Sequence, residues 1–344
     1  MKTLTHIGRI AAALTACILA VAPLSAQKVG STSMQFLHVM PCARGTAMGD
    51  AYSVIATGAE AVYCNPSGVA QVQGHEFSST YIDWIFDASQ GTLSYATTLG
   101  EIGALGIQVQ YVDYGEFEET SNDLPYIKNP DEPGMTGRTF HPFSYLIGAT
   151  YARSLTDRFS VGLSAKYAHE SLFNGQSVYA QVSQGVYKNV QTWAGVMLFD
   201  FGVRYNAGFR TVQLAAAVQN FGSNVTYAKE SNPVPLLFRF GIAGDLIGTD
   251  ALLVEREGQR LTVAFDLFQP NDYAQQAHLG LEYEFASAFA LRAGYKFNYD
   301  NESFTFGAGF KQTLGSTRFS LDYSYGSVGT YLGSVQRITL GAGI

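Results

Sequence analysis

Only 14% of the 344 residues are charged, 21 Lys and Arg against 28 Asp and Glu, where an ordinary soluble domain carries roughly 25%. With 47% hydrophobic residues, 36 Gly, 21 Tyr and 23 Phe, a disordered chain is excluded. A formal charge of −7 offers no electrostatic footprint for a phosphate backbone, so no nucleic-acid partner is expected.

The chain opens on Lys2 and Arg9, an apolar run from Ile10 to Pro23, and Leu24-Ser25-Ala26 before Gln27, the layout of a secretory signal peptide over residues 1–26. Leu14-Thr15-Ala16-Cys17 also reads as a lipoprotein box, but Ile18-Leu19-Ala20-Val21 stays apolar where a tether should be polar. From Gln27 to Gln73 nothing alternates. Gly45, Gly49, Gly58 and Gly68 stand among small residues, with Phe36, Leu37, Met40, Met48, Val62 and Tyr63 as apolar anchors. That composition predicts a compact plug buried inside protein, over residues 27–73, rather than a solvated leader.

Beyond the leader no apolar run is long enough for a helix to cross a bilayer. Alternation takes its place, clearest in Phe289-Ala290-Leu291-Arg292-Ala293-Gly294-Tyr295-Lys296-Phe297-Asn298-Tyr299, and period two means strand. Segments of this kind fall near 75–83, 87–98, 101–112, 143–154, 159–170, 195–205, 211–221, 235–245, 260–268, 276–285, 289–299, 303–312, 317–325 and 335–344. Fourteen is an even number of bilayer-length strands, so the fold class expected over residues 74–344 is an all-β, antiparallel, transmembrane outer-membrane β-barrel. Long gaps, Asp113 to Pro142 and Ser171 to Ala194, follow odd-numbered strands, and the short ones follow even-numbered strands, as loops outside and turns inside require. Leu246 to Gln259 breaks the rule, either as an extended periplasmic turn or as a slip in the count.

A water-soluble sandwich or barrel would alternate too. Tyr81, Trp84, Tyr111, Tyr151, Tyr205, Tyr283, Tyr299 and Tyr325 near segment ends favour a membrane, where aromatic rings suit the headgroup zone. Strand parity sends Asp266, Glu282, Glu284 and Asp322 inward together with Lys166, Arg204, Arg292 and Lys296, which gives Arg44 of the plug carboxylates to bind.

No catalytic constellation is visible. The six histidines are scattered, no Gly-x-Ser-x-Gly elbow occurs, and no Gly-rich loop leads from a strand into a helix, so neither an enzyme nor a cofactor is expected. Cys42 and Cys64 have no Cys or His at ligand spacing, which speaks against a metal. In an oxidising compartment they either pair or remain two small buried apolar residues. Asn65-Pro66-Ser67-Gly68 reads as a rigid turn: Pro fixes φ, Asn bonds its own backbone two residues on, and Gly accepts positive φ. It is either an element of a lateral ligand gate or simply a tight loop.

Gln35-Phe36-Leu37, Ala43-Arg44, Met48-Gly49-Asp50-Ala51-Tyr52 and Tyr63-Cys64-Asn65-Pro66-Ser67-Gly68-Val69-Ala70 resemble the amino-terminal signature of the PorV/PorQ family of outer-membrane proteins, relatives of the FadL-type fatty-acid channels. The resemblance continues through Tyr111-Val112-Asp113-Tyr114-Gly115, Val218-Gln219-Asn220-Phe221-Gly222 and Leu291-Arg292-Ala293-Gly294-Tyr295-Lys296. Cys64 stands where many relatives resemble Tyr-Trp-Asn-Pro, and Ser67 where the common motif has Ala. The resemblance implies a plugged fourteen-stranded barrel in outer-membrane lipid with an accessory role in type IX secretion. Its partners would be the translocon and exported proteins with a carboxyl-terminal sorting domain. The alternative it carries is a FadL-like passage for hydrophobic small molecules. The site expected on either reading is the plug motif with Arg44, Gly49, Asn65, Pro66 and Gly68.

Overall fold

A strand with one apolar and one polar face must bury or wet each appropriately, and closing the sheet on itself does so while removing both edges. In a computed structural model, which describes residues 30–121, 134–183, 185–228, 230–329 and 332–344, fourteen antiparallel strands make such a barrel. They are β1 (His75–Asp83), β2 (Ser89–Thr98), β3 (Ala104–Asp113), β4 (Phe143–Thr156), β5 (Phe159–Ser171), β6 (Trp193–Asn206) and β7 (Gln213–Gly222). The second half comprises β8 (Leu237–Gly248), β9 (Gln259–Pro270), β10 (Gln276–Phe285), β11 (Phe289–Phe297), β12 (Phe304–Leu314), β13 (Thr317–Ser327) and β14 (Ser334–Gly343). Each strand pairs with its neighbour in sequence, and β1 pairs with β14 from Glu76↔Gly343 to Asp83↔Gln336, closing the wall. The expected signal peptide lies outside the described residues, as do residues 122–133 of the long gap Asp113 to Pro142.

The outer face is apolar. Leu93, Ile107, Ile147, Leu163, Phe240, Leu281, Leu291, Phe306 and Leu340 are exposed in a band. Exposed rings flank it at both ends, Tyr81, Tyr111, Phe297 and Tyr325 above and Tyr151, Tyr205, Phe289 and Phe319 below, the girdles of a membrane barrel. The end carrying His75 and Gly343 has the short turns and is therefore periplasmic. Its one longer connection is an extended turn, not a slipped count: after β8 the chain folds back, and Val254–Glu255 pairs parallel to Ile247 and Gly248. Arg210 holds that turn through Asp250, at 3.1 Å, and Glu255.

At the opposite end the long gaps contain hairpins beyond the barrel, Phe117–Ser121 with Gly134–Phe140 and Val178–Ser183 with Val186–Val190. A third, Val225–Tyr227 with Glu230–Asn232, folds inward, since Val225 and the following Val234 are buried. The wall is irregular where β7 ends. The register between β6 and β7 shifts between Phe199 and Phe201, Asn220 adopts a φ of 60°, and pairing of β7 with β8 stops at Gln219. Asn220 N donates instead to Asp200 Oδ1 at 2.8 Å, and Lys166 ties the two side chains, meeting Asp200 Oδ2 at 2.7 Å and Asn220 Oδ1 at 2.6 Å.

Candidate functional site in the barrel lumen

Residues 30–74 run through the lumen from its extracellular to its periplasmic end. Thr32 donates to Asp272 Oδ2 in the connection between β9 and β10, Gln35 Nε2 approaches the same oxygen at 3.2 Å, and His38 Nε2 at 3.3 Å. Burial alone would raise the Asp272 carboxyl; these donors outweigh it and hold its pKa down at about 2. At the other end Gly74 O accepts from Thr98 N, and His75 pairs with Ile344. Around the upper end Met34 and Phe36 pack with Leu146, Leu198, Val225 and Val234, filling the extracellular side of the lumen.

Arg44 lies on a short helix, α1 (Ala43–Ala47), against β11 to β14. Of the four carboxylates the sequence placed inward, it takes Glu282. Its Nε meets Oε2 at 2.8 Å and its Nη2 meets Oε1 at 2.7 Å, a two-pronged charge-assisted contact. The same Glu282 receives Arg292 Nε at 2.6 Å, and Arg292 Nη1 continues to Asp322 at 2.6 Å. Asp266 serves another purpose, accepting the backbone N–H groups of Tyr52 at 3.1 Å and Ser53 at 2.9 Å. Glu284 binds Lys311 and Arg260, each at 2.5 Å. Asp50 faces Lys296 Nζ at 2.6 Å. Burial opposes its ionisation, but the ammonium prevails and keeps Asp50 at about 2.

Gly49, at φ 64°, follows this helix, its N–H donating to Thr305 Oγ1 at 3.0 Å. It rests on a flat place in the wall. A Cβ on Gly294 would stand 2.0 Å from Gly49 N, and one on Gly280 would stand 2.6 Å from Met48 O. Gly280 and Gly294 are register partners on β10 and β11. Strand glycines are expected where another backbone approaches closely.

The Asn65 turn sits on a second glycine pair, Gly162 and Gly202, partners on β5 and β6. Cβ atoms there would meet Pro66 C at 2.3 Å and Asn65 Oδ1 at 2.1 Å. Asn65 caps the 3-10 turn Pro66–Gln71 by accepting from Ser67 N at 3.1 Å and Ser67 Oγ at 2.7 Å. Its Nδ2 donates to Ser53 O at 3.1 Å and Val203 O at 3.3 Å, joining turn, inner segment and wall. Pro66 occupies the first position of that turn, where its missing N–H costs nothing. Gly68 corrects the sequence reading: its φ is not positive, and the glycine is required because a Cβ would stand 2.3 Å from Ala56 O.

Cys42 and Cys64 are unpaired buried thiols. Burial pushes Cys64 up to about 12 and Cys42 up as well. What the arrangement does is hold a segment inside a barrel, at Glu282, at the two glycine pairs and at Asp272. The Asp272 contacts gave no sequence signal, being about 240 residues apart in the chain.

A family model described as PorV, type IX secretion system protein PorV, matches residues 23–258. No curated protein matches. Among solved structures the chain is similar to the Pseudomonas putida toluene transporter TodX. That likeness has 15% identity and a TM-score of 0.54, covering 87% of this chain and 96% of the other. The CymD monoaromatic hydrocarbon channel is similar at 13% identity and a TM-score of 0.51, covering 90% and 97%. At these identities the structures share the outer-membrane barrel fold.

Proposed function

The chain belongs to the PorV family of type IX secretion outer-membrane barrels, and from that premise we propose that it is a non-catalytic accessory that receives exported proteins at the cell surface. The observation carrying this reading is the pair of hairpins above β3–β4 and β5–β6. They are braced together, Phe140 against Phe173 at 4.8 Å between ring centroids and His141 N on Asn174 Oδ1 at 2.7 Å. Beyond the membrane they leave Phe117, Met135, Tyr179 and Tyr187 exposed. Large apolar groups in water above a membrane are the composition of a protein-binding surface. The inner segment, held to the wall at Glu282 and at the two glycine pairs, supports docking over flow.

The test is capture from mildly crosslinked outer membranes, with the retained proteins and lipids identified by mass spectrometry. Exported proteins sharing a carboxyl-terminal domain, or the translocon, should be recovered with the intact protein. They should be lost when Val178–Val190 is replaced by a short Gly-Ser turn. Equal recovery from both would refute the hairpins' role.

A second reading, passage of hydrophobic small molecules, draws support from one place. Where β7 leaves β8, the outer wall carries an apolar groove of about 640 Å³ lined by Leu163, Phe201, Val218, Phe238 and Phe240. Stoichiometric hydrocarbon or fatty acid in the capture, with no protein partner, would favour it.

A further inference from the structure

Beneath the inner segment, the periplasmic mouth of the barrel holds a cavity of about 390 Å³, within the size range of small-ligand clefts. Most of its charged groups are neutralised across strands. Arg318 meets Glu76 at 3.0 Å, Lys311 and Arg260 share Glu284, and Arg44 is bound to Glu282. One cation differs. Arg204, projecting from the lower end of β6, has no carboxylate within ion-pair distance among the described residues.

Its Nε and Nη2 both donate to one neutral oxygen, Gln213 Oε1, at 3.0 and 2.5 Å, and Nη1 reaches Ala56 O at 3.4 Å. These contacts fix the guanidinium plane without cancelling its charge. A half-buried guanidinium has given up part of its hydration, and a neutral amide oxygen returns little of it. An anion supplied from outside would.

We propose that Arg204, oriented by Gln213, binds the carboxylate of a compact polar ligand entering from the periplasm, such as the free end of a short peptide. Three features of the cavity define that class. Glu60, Asp245 and Asp322 share its lining, so a doubly charged phosphate meets about twice the repulsion of a single carboxylate. Thr211, Thr262 and Ser320 line it as well, and among the described residues Ile55 and Phe77 are its only large apolar side chains, too little for a continuous channel for a long acyl chain. Asp245, held by the Thr262 hydroxyl at 2.6 Å, likewise has no cationic partner among the described residues. It offers an acceptor for N–H groups on the same ligand. The proposal stands on these residues and does not require the secretion reading.

The experiment is calorimetric titration of the full-length protein in detergent with acetyl-glycyl-glycine and, separately, with its carboxamide. Inorganic phosphate and laurate serve as competitors. The acid should bind at least about tenfold more tightly than the amide, the size of one charge-assisted hydrogen-bonded contact. Arg204→Gln should bring the acid down to the amide's level, and Arg204→Lys should retain part of the preference. Neither phosphate nor laurate should displace the acid at equal concentration. Acid and amide binding alike, no binding of either, a preference that survives Arg204→Gln, or stronger displacement by phosphate or laurate would each overturn the proposal. The acid-to-amide comparison uses the unmodified protein, so it decides the matter even where a variant fails to fold.

Discussion

Gly294→Ala places one methyl group between the wall and the inner segment. The added Cβ would stand 2.0 Å from Gly49 N, 2.3 Å from Met48 C and 2.6 Å from Gly49 Cα. All three are backbone atoms, so no rotamer change relieves the clash. The β11 backbone is fixed by ladders on both sides, so the inner segment must give way. From 2.0 Å to the 3.4 Å of ordinary contact is a shift of about 1.4 Å, which breaks the 3.0 Å bond from Gly49 N to Thr305. Overpacking costs about 1–3 kcal/mol and the lost hydrogen bond about 1 kcal/mol. Docking of residues 43–56 should therefore weaken by about 2–4 kcal/mol, a roughly 30- to 700-fold rise in the undocked population. Hydrogen exchange resolved by peptide would read this as lost protection over 43–56 with the strands still protected. Gly91→Ala is the control, since nothing lies within 4 Å of a Cβ there, and it should leave the pattern unchanged. Unaltered protection of 43–56 in Gly294→Ala would refute the reasoning.

Asn65→Ala removes the cap on Ser67 and two donors to buried carbonyls, and should destabilise the turn by about 2–3 kcal/mol, read as faster exchange over 58–71. Arg44→Ala strips one of two cations from Glu282; because Arg292 remains, the cost should be about 2–3 kcal/mol rather than that of a fully orphaned charge. Arg44→Lys should recover only part of it, having a charge but no fork, and proteolysis of the inner segment would rank the three. Asp272 has a depressed pKa, so the stability its latch contributes is complete above the ordinary value of 3.8 and lost as pH falls through about 2. Pepsin cleavage near Phe36 should accordingly accelerate between pH 4 and pH 2, and Asp272→Asn should cleave quickly throughout that range.

Strand faces were legible because a barrel wall has two different solvents, and Arg292, Lys296, Glu282 and Asp322 betray the polar one by parity alone. The partner of Arg44 was not, because four carboxylates share that parity. Only the stagger of β10 against β11, which sets Glu282 beside Arg292, selects one. The surface hairpins were missed because a two-stranded ribbon in water has no buried face, and Phe117–Ser121 contains no buried residue. For Gly68 the local rule named the right residue for the wrong reason: the constraint comes from Ala56 O, twelve positions away.

The path of residues 30–74 has a consequence for biogenesis. This stretch precedes every strand in the chain, yet its upper end is tied to Asp272 and its lower end adjoins β1. Delivering it into a finished cylinder would mean drawing Arg44 and Asp50 through a closed wall to reach Glu282 and Lys296. Enclosure is the simpler order: the sheet grows around a segment already present, and the β1–β14 seam zips last. The inner segment would then act as a mould for the wall, and a sheet of the wrong stagger could not shut on it.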